Sequence, residues 1–385
     1  MNVRSTMKVP KYRWFLWAAF LAAALFFVFQ MRFLPGGFKP AAPKGFELLD
    51  SLMRLIRNDY LEERDPVQTA EGAYRGLVNS LDPLSAYLSK DLTAEYLART
   101  GRETDPGVVI LKRYASFPQV VSVIEGSPAE KIGIKIGDLL TAIKGRNSLS
   151  MSLAETKLLL EGTDEQLVKI RVLRGNETLD LDVPRALLFP KPFTFVRTAG
   201  KPAILRIHRF APSLVDSDLR QEVLPALKNS KTALVVDLRN CQDGDLEEAR
   251  KFVNLFVKAA DAGHFENRGG VKQAIACPAE PELGTLPLAV WVNAGTAGPA
   301  EFAAGVLQEV RKVKVVGFPT PGLVGRTEFF SLKDESAILL TSGVFSLPSG
   351  RKLWDEGLRP DVSLPVDKLD EKSYLEKTIP LLPKL

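Results

Sequence analysis

Asn293-Ala294-Gly295-Thr296-Ala297-Gly298-Pro299-Ala300-Glu301 joins two elements of different kind. Before it, Leu286 to Val292 is a short, continuous apolar run, the pattern of a strand covered on both faces. After it, Pro299 to Val310 reads as a helix. A glycine-rich turn at a helix N-terminus is where many enzymes hold a nucleophile. Here the apex is Gly298, which has no side chain, and the next residue is Pro299, which has no N–H. Neither can serve as nucleophile or proton carrier. As plain structure the pair fits an N-cap glycine and a proline at the first helical position.

The same alternation extends around the turn. Ala203 to Ile207 and Ala233-Leu234-Val235-Val236-Asp237-Leu238 are continuous apolar strands, Asp245 to Lys258 is a helix, and Val313 to Gly317 is a strand. This pattern predicts an α/β core with a parallel-type sheet over residues 186–385.

Residues 101–185 have a different texture, and read as an α+β domain of short strands. Val108 to Leu111, Val120 to Val123 and Asp138 to Ile143 are strands, with a turn into a short helix at Gly126-Ser127-Pro128-Ala129. Ser152-Leu153-Ala154-Glu155 has the form of a capping box that opens a helix ending at Gly162. Lys169 to Arg174, Gly175-Asn176 and Thr178 to Val183 form a hairpin.

Residues 46–100 are helical in pattern, with Leu48, Leu49, Leu52, Leu55 and Ile56 at three- and four-residue steps and a break at Asp82-Pro83. Residues 35–45 are a Pro/Gly-rich linker. In residues 1–34, Arg4, Lys8, Lys11 and Arg13 precede an apolar run from Trp14 to Phe29, and Arg32 follows. Such a run is a membrane anchor or a signal peptide. No convincing small-x-small cleavage site precedes Pro35, and Trp14 and Trp17 suit an interface, which favours an anchor; the basic flank puts the bulk of the chain outside the cytoplasm. The net charge of +5 over 385 residues equals those five basic groups, so the remainder is formally neutral and carries no nucleic-acid footprint. The only cysteines, Cys241 and Cys277, and the only histidines, His208 and His264, lack zinc spacing, and no cofactor motif occurs.

Gly126-Ser127-Pro128-Ala129, Gly133-Ile134-Lys135-Ile136-Gly137-Asp138 and the Ser152 helix resemble a PDZ domain. In that family a peptide C-terminus adds a strand, and its carboxylate sits on backbone N–H groups. The resemblance implies that Gly107, Val108 and Val109 form the carboxylate loop, with Leu153 and Lys157 flanking the groove. The alternative is a groove filled by the chain's own segments.

With Ser80-Leu81-Asp82-Pro83-Leu84-Ser85-Ala86-Tyr87, Asp237-Leu238-Arg239-Asn240, the Asn293 turn, Thr341, Pro348-Ser349-Gly350 and Gly357-Leu358-Arg359-Pro360-Asp361, the chain after the linker resembles the carboxy-terminal processing proteases, serine peptidases of S41 type. That family uses a serine nucleophile with a lysine base. The resemblance puts Gly298 at the serine, Leu323 at the lysine and Thr327 at the assisting glutamine. Pro299 falls at one oxyanion donor, and Cys241-Gln242-Asp243-Gly244 at the other, with the Asp243 anion near it. The implied protein is a catalytically inactive, membrane-anchored binder of peptide or protein C-termini that acts as adaptor or regulator beside an active protease. A relocated site built from Cys241 and His208 is the enzymatic alternative, with Thr296 a further hydroxyl that has no base. A third reading is an assembly protein that forms a homodimer through its helical N-terminal region.

Overall fold

The computed structural model describes residues 44–62, 65–101, 103–162, 166–228, 232–365 and 370–383. The anchor and nearly all of the linker lie outside these residues. Among the described residues no helix is long and apolar enough to cross a membrane. The chain divides into two compact units, one through Ala70 and one from Glu71 onward.

The first unit contains helix α1 (Lys44–Asp59) and the start of α2 (Pro66–Asn79). On α1 the predicted stripe of Leu48, Leu49, Leu52, Leu55 and Ile56 is exposed. The Asp82-Pro83 break is present, but the residues after it are not all helical. Ala86–Leu88 form a short buried strand, β1, before helix α3 (Lys90–Leu97). The reason is a distant partner. Asp82 Oδ1 accepts from the N–H groups of Leu84 (2.8 Å) and Ser85 (2.8 Å) and from Thr341 Oγ1 (2.8 Å), which turns the chain into antiparallel pairing with residues 337–339.

The strands of the second domain are β2 (Val108–Leu111), β3 (Gln119–Val123), β4 (Leu139–Ile143), β5 (Arg146–Asn147), β6 (Leu167–Arg174) and β7 (Glu177–Pro184). Its helices are α4 (Pro128–Ile132) and α5 (Leu153–Leu160). The sheet runs β2-β3-β4-β6-β7, so β2 is an edge strand, and β5 pairs off the side of β4. Asp138, expected in a strand, instead caps the turn before it. Its buried carboxylate accepts from Lys135 N–H (2.8 Å) and is bracketed by Arg174 at 2.7 Å. The capping box at Ser152 is only half formed. Ser152 Oγ accepts from Glu155 N–H at 3.0 Å, but the Glu155 side chain does not reach back; it is buried against Arg75 at 3.5 Å. The helix ends at Leu160, short of Gly162, with Glu161 extended at its C-cap.

The core domain adds strands β8 (Phe193–Val196), β9 (Ala203–Ile207), β10 (Leu234–Asp237), β11 (His264–Asn267), β12 (Lys272–Ala274), β13 (Leu288–Val292), β14 (Lys314–Gly317), β15 (Gly325–Ser331), β16 (Ala337–Ser346) and β17 (Val362–Ser363). Its helical elements include a wide-turn segment, Leu214–Val223, continuing as α6 (Leu224–Lys228), then α7 (Leu246–Asn254), α8 (Pro299–Val310) and α9 (Glu371–Thr378). The predicted parallel sheet is β17-β14-β13-β10-β9, closed at one edge by the antiparallel β8. The helix expected over Asp245 to Lys258 is shorter, with Asp245 as its cap and Asn254 its last residue. A second sheet, β1-β16-β11-β12 with β15 on β16, packs Phe265 and Phe345 inward, and Phe302 of α8 meets Phe345 of β16 edge-on at 5.0 Å.

At the C-terminal end of β10 a buried ion cluster holds the parallel sheet in shape. Asp237 is fully buried and receives Arg239 through both oxygens (2.8 and 2.7 Å) and Arg206 at 2.7 Å. The Arg239 guanidinium lies over the faces of Trp291 (4.9 Å) and Tyr374 (4.5 Å), two rings that also touch each other. Burial alone would raise the carboxyl, but Arg239 and Arg206 hold it at about 2. The folded-state value is thus below the ordinary 3.8. Its stabilising contribution is complete above that value and is lost as pH falls towards 2. Replacing Arg239 by Met leaves a buried carboxylate with one cation, Arg206, and the backbone N–H of residue 239. Urea unfolding is expected to show a loss of about 3 kcal/mol and a shallower acid limb than the native protein.

Candidate active site

The Asn293 turn stands where predicted, between β13 and α8. Gly298 adopts φ 55° and ψ −119° as the N-cap, and Pro299 is the first helical residue. This is the sharp strand-to-helix turn on which hydrolases mount a nucleophile, a conformation costly for any residue with a Cβ. Space is not the obstacle. A Cβ built on Gly298 would lie 3.6 Å from the Gln242 carbonyl oxygen and 3.9 Å from that of Leu323, ordinary contact distances. The backbone has the shape of a nucleophile elbow, and its apex carries no side chain.

Glu301, three residues on, ties that turn to the opposite wall. Its fully buried carboxylate accepts from the N–H groups of Gly298 (3.2 Å), Gly322 (2.8 Å) and Leu323 (2.7 Å), and from the Thr320 hydroxyl. Burial pushes Glu301 from the ordinary 4.5 up to about 7, and the four donors oppose it without cancelling it. Thr320 in turn accepts from Leu358 N–H at 2.8 Å. The Gly357-Leu358 motif therefore supports the site from behind.

A third set of bonds fixes the foot of the turn to the Asp237-Leu238-Arg239-Asn240 motif. Asn293 Oδ1 accepts from Asn240 N–H (3.0 Å) and Gly295 N–H (3.0 Å), while its amide nitrogen donates to Asn240 Oδ1 (2.7 Å). Thr296 is fully buried; its hydroxyl donates to the Leu238 carbonyl (2.9 Å) and accepts from Asn293 N–H (3.0 Å). That hydroxyl is structural and faces no substrate. Ala297 N–H reaches the Cys241 carbonyl at 2.9 Å, which brings residues 241–244 alongside the elbow.

The wall beside the elbow is apolar, while Arg99, Lys157, Asp243 and Arg326 border the same space. Leu323 is 7% exposed and belongs to one buried cluster with Ala297, Leu339, Ile110 and Leu153. A cavity of about 380 Å³ lies here, lined by Leu84, Leu153, Leu246, Pro299, Leu323 and Thr327 among others. Thr327 is exposed on β15, just past a register shift at Arg326/Thr327. Amide donors are scarce at the apex. Those of Gly298, Gly322 and Leu323 all point to Glu301, and Pro299 has none. The Asp243 carboxylate, expected near the oxyanion position, is paired with Lys157 of α5 at 2.8 Å. Against the burial that would raise it, Lys157 holds Asp243 below the ordinary carboxylate range.

Cys241 and His208 form no dyad. Cys241 is fully buried in the main core cluster, and burial pushes its thiol up, away from the thiolate. His208 stacks on Phe189 at 3.8 Å and bonds Thr194 Oγ1 through Nε2 at 2.8 Å. Burial, with Arg206 and Arg209 nearby, lowers it to about 4.

The residues given to the peptide groove converge, but they are already engaged. Gly107 N–H donates to the Asp105 side chain, so it is not a free donor as expected. Val109 packs into the elbow turn; a Cβ on Gly295 would come within 2.8 Å of Val109 Cγ1, which explains the glycine. Val108, Val109 and Lys157 border a second, charged cavity of about 840 Å³, and Leu153 borders the smaller one. Glu301, Asp105 and Gln242 were not singled out by sequence as site residues. For Glu301 a signal was present, an acid at the third helical position after Gly-Pro.

An elbow on a parallel sheet with an inserted PDZ domain defines the class, an S41-type peptidase fold. Residues 201–364 match peptidase family S41, and residues 119–174 match a PDZ domain. A probable CtpA-like serine protease of Staphylococcus aureus (strain COL) is 28% identical over 336 residues, 86% of this chain and 67% of that protein. Its counterpart in Staphylococcus haemolyticus (strain JCSC1435) is 26% identical over 317 residues, 81% and 63% of the two chains. Among solved structures, the photosystem II D1 C-terminal processing protease superposes with a TM-score of 0.69 at 22% identity, covering 87% of this chain and 90% of that one. The core domain thus carries the peptidase family S41 match, and the chain as a whole is similar to carboxy-terminal processing proteases.

Two outcomes follow from the frame. The raised carboxyl of Glu301 means that stability should fall as pH rises from about 4.5 towards 7, where the buried group ionises, and level off above. Glu301→Gln should remove that slope. It should also cost about 1–3 kcal/mol in urea unfolding, because an amide cannot accept from both walls. Gly298→Ser is expected to fold, but with a loss of about 1–3 kcal/mol from the positive φ.

Proposed function

We propose that this S41 homologue does not hydrolyse peptides and instead binds peptide or protein C-termini, as an adaptor or regulator beside an active protease. The observation that supports it is the joint character of Gly298, Pro299 and Leu323 in an otherwise intact frame. Acyl transfer on this fold needs a hydroxyl, a neutral amine to take its proton and N–H donors for the oxyanion. The three positions offer a hydrogen atom, a ring nitrogen without a proton and an aliphatic side chain. Losing one oxyanion donor alone typically costs about 2.7–4 kcal/mol of transition-state stabilisation. Loss of the nucleophile removes the covalent route altogether.

The basic-flanked apolar run from Trp14 to Phe29 supports a membrane anchor with the bulk of the chain extracytoplasmic. In that setting the protein competes for, or presents, the C-terminal tails that an active relative would cut.

Purified full-length protein in detergent is expected to release no fragments from casein or from fluorogenic tailed peptides above the protein-free rate. Gly298→Ser should stay inactive, since Pro299 and Leu323 are unchanged. Sustained turnover by the native protein, lost in Leu323→Lys or Gly298→Val, would overturn the reading.

A further inference from the structure

The PDZ groove in this structure already holds a ligand, supplied by the chain itself. Its strand side is β2, the edge of the sheet, and its helix side is α5. Gln242 Nε2 donates to the Ile110 carbonyl of β2 at 3.4 Å, the kind of bond an added strand would make with its backbone N–H. The next residue, Asp243, places its carboxylate 2.8 Å from Lys157 Nζ on α5. One dipeptide thus supplies both a donor for the strand edge and an anion for the helix.

Lys157 is the sole basic residue of α5, and its side chain is only 16% exposed. The neighbouring cation, Arg99, is committed to Glu161. The carboxylates of Asp105 and Glu161 also act on Lys157 within the same charged cavity, but Asp243 is its direct ion-pair partner, so a Lys157 parted from Asp243 is a half-buried charge that an incoming acidic side chain can pair. The other polar feature of the groove is pre-empted as well, because Asp105 occupies Gly107 N–H. An incoming C-terminal carboxylate meets a competitor there, so discrimination shifts to the side chains along α5.

We infer that Gln242-Asp243 is an internal pseudo-ligand, and that the groove selects peptide tails carrying an acidic side chain opposite Lys157, which displace Asp243. This inference rests on the peptide-binding reading and adds the substrate class. It also gives residues 241–244, alongside the elbow, a role in gating access to the groove.

The test uses full-length protein in detergent and pairs of fluorescent peptides that differ only in Glu or Gln, scanned along the C-terminal residues. Anisotropy titration should find a position where Glu binds about two- to fivefold tighter than Gln, the range of a single partly exposed ion pair. Lys157→Gln should abolish that preference, and Lys157→Arg should keep it. Asp243→Asn should tighten the Glu peptide by a similar factor. Lys157→Glu should reverse the preference towards a Lys-bearing peptide. A Glu preference that survives Lys157→Gln, or an affinity indifferent to residue 243, overturns the inference alone. Absence of binding to both native protein and Asp243→Asn overturns the peptide-binding reading and the inference together. Matching thermal midpoints across the variants establish that each is folded.

Discussion

The site depends on the Glu301 carboxylate and the four donors around it. One acidic side chain at the start of α8 accepts from the elbow on one side and from the Thr320–Leu323 strand approach on the other. Without it the two walls of the cleft would be joined only through their strands and the apolar cluster of Ala297 and Leu323. Burying it carries an electrostatic cost that shows as the carboxyl pushed up to about 7. The fold tolerates that cost because leaving three amides and a hydroxyl buried and unpaired would be worse.

Around this link, the parts that build shape and the parts that perform chemistry have separated. The Asn293–Asn240 pair, the Asp237–Arg239–Arg206 cluster and the Asp82 turn on Thr341 are complete. The departures are confined to side chains that face the cleft. Leu323 has joined an apolar cluster that runs from Ala297 through Leu339 to the PDZ residues Ile110 and Leu153. A lysine there would have to be buried among leucines, with its charged form strongly disfavoured. Leu323 thereby contributes to the packing between the core and the PDZ domain.

Much of the fold was legible from sequence. Strands β9, β10, β13 and β14 are apolar on both faces, and α8 begins at a Gly-Pro pair, so period and capping chemistry were unambiguous. β1 was missed because three residues carry no periodicity of their own and are set by Asp82 and a strand 250 residues away. The Glu155 half of the capping box failed for a similar reason, a tertiary partner in Arg75. That residues 298, 299 and 323 are glycine, proline and leucine follows from the sequence; the structure adds the turn and the apolar cluster in which they sit. The occupation of Gly107 by Asp105 and of Lys157 by Asp243 could not be read from sequence, because each is a contact whose partner a motif does not name. Cys241 shows the converse. Its position after a strand suggested reactivity, and only burial in the core reveals an inert thiol.

Gly298 has a wider consequence. A turn with φ 55° and ψ −119° is usually taken as strain retained for the sake of reactivity. Here the same contour is occupied by the one amino acid that pays nothing to adopt it. Outlines of the main chain would therefore count this molecule among working hydrolases. The contour alone does not say which atoms project from it, and on the proposed reading those atoms decide what the molecule can do.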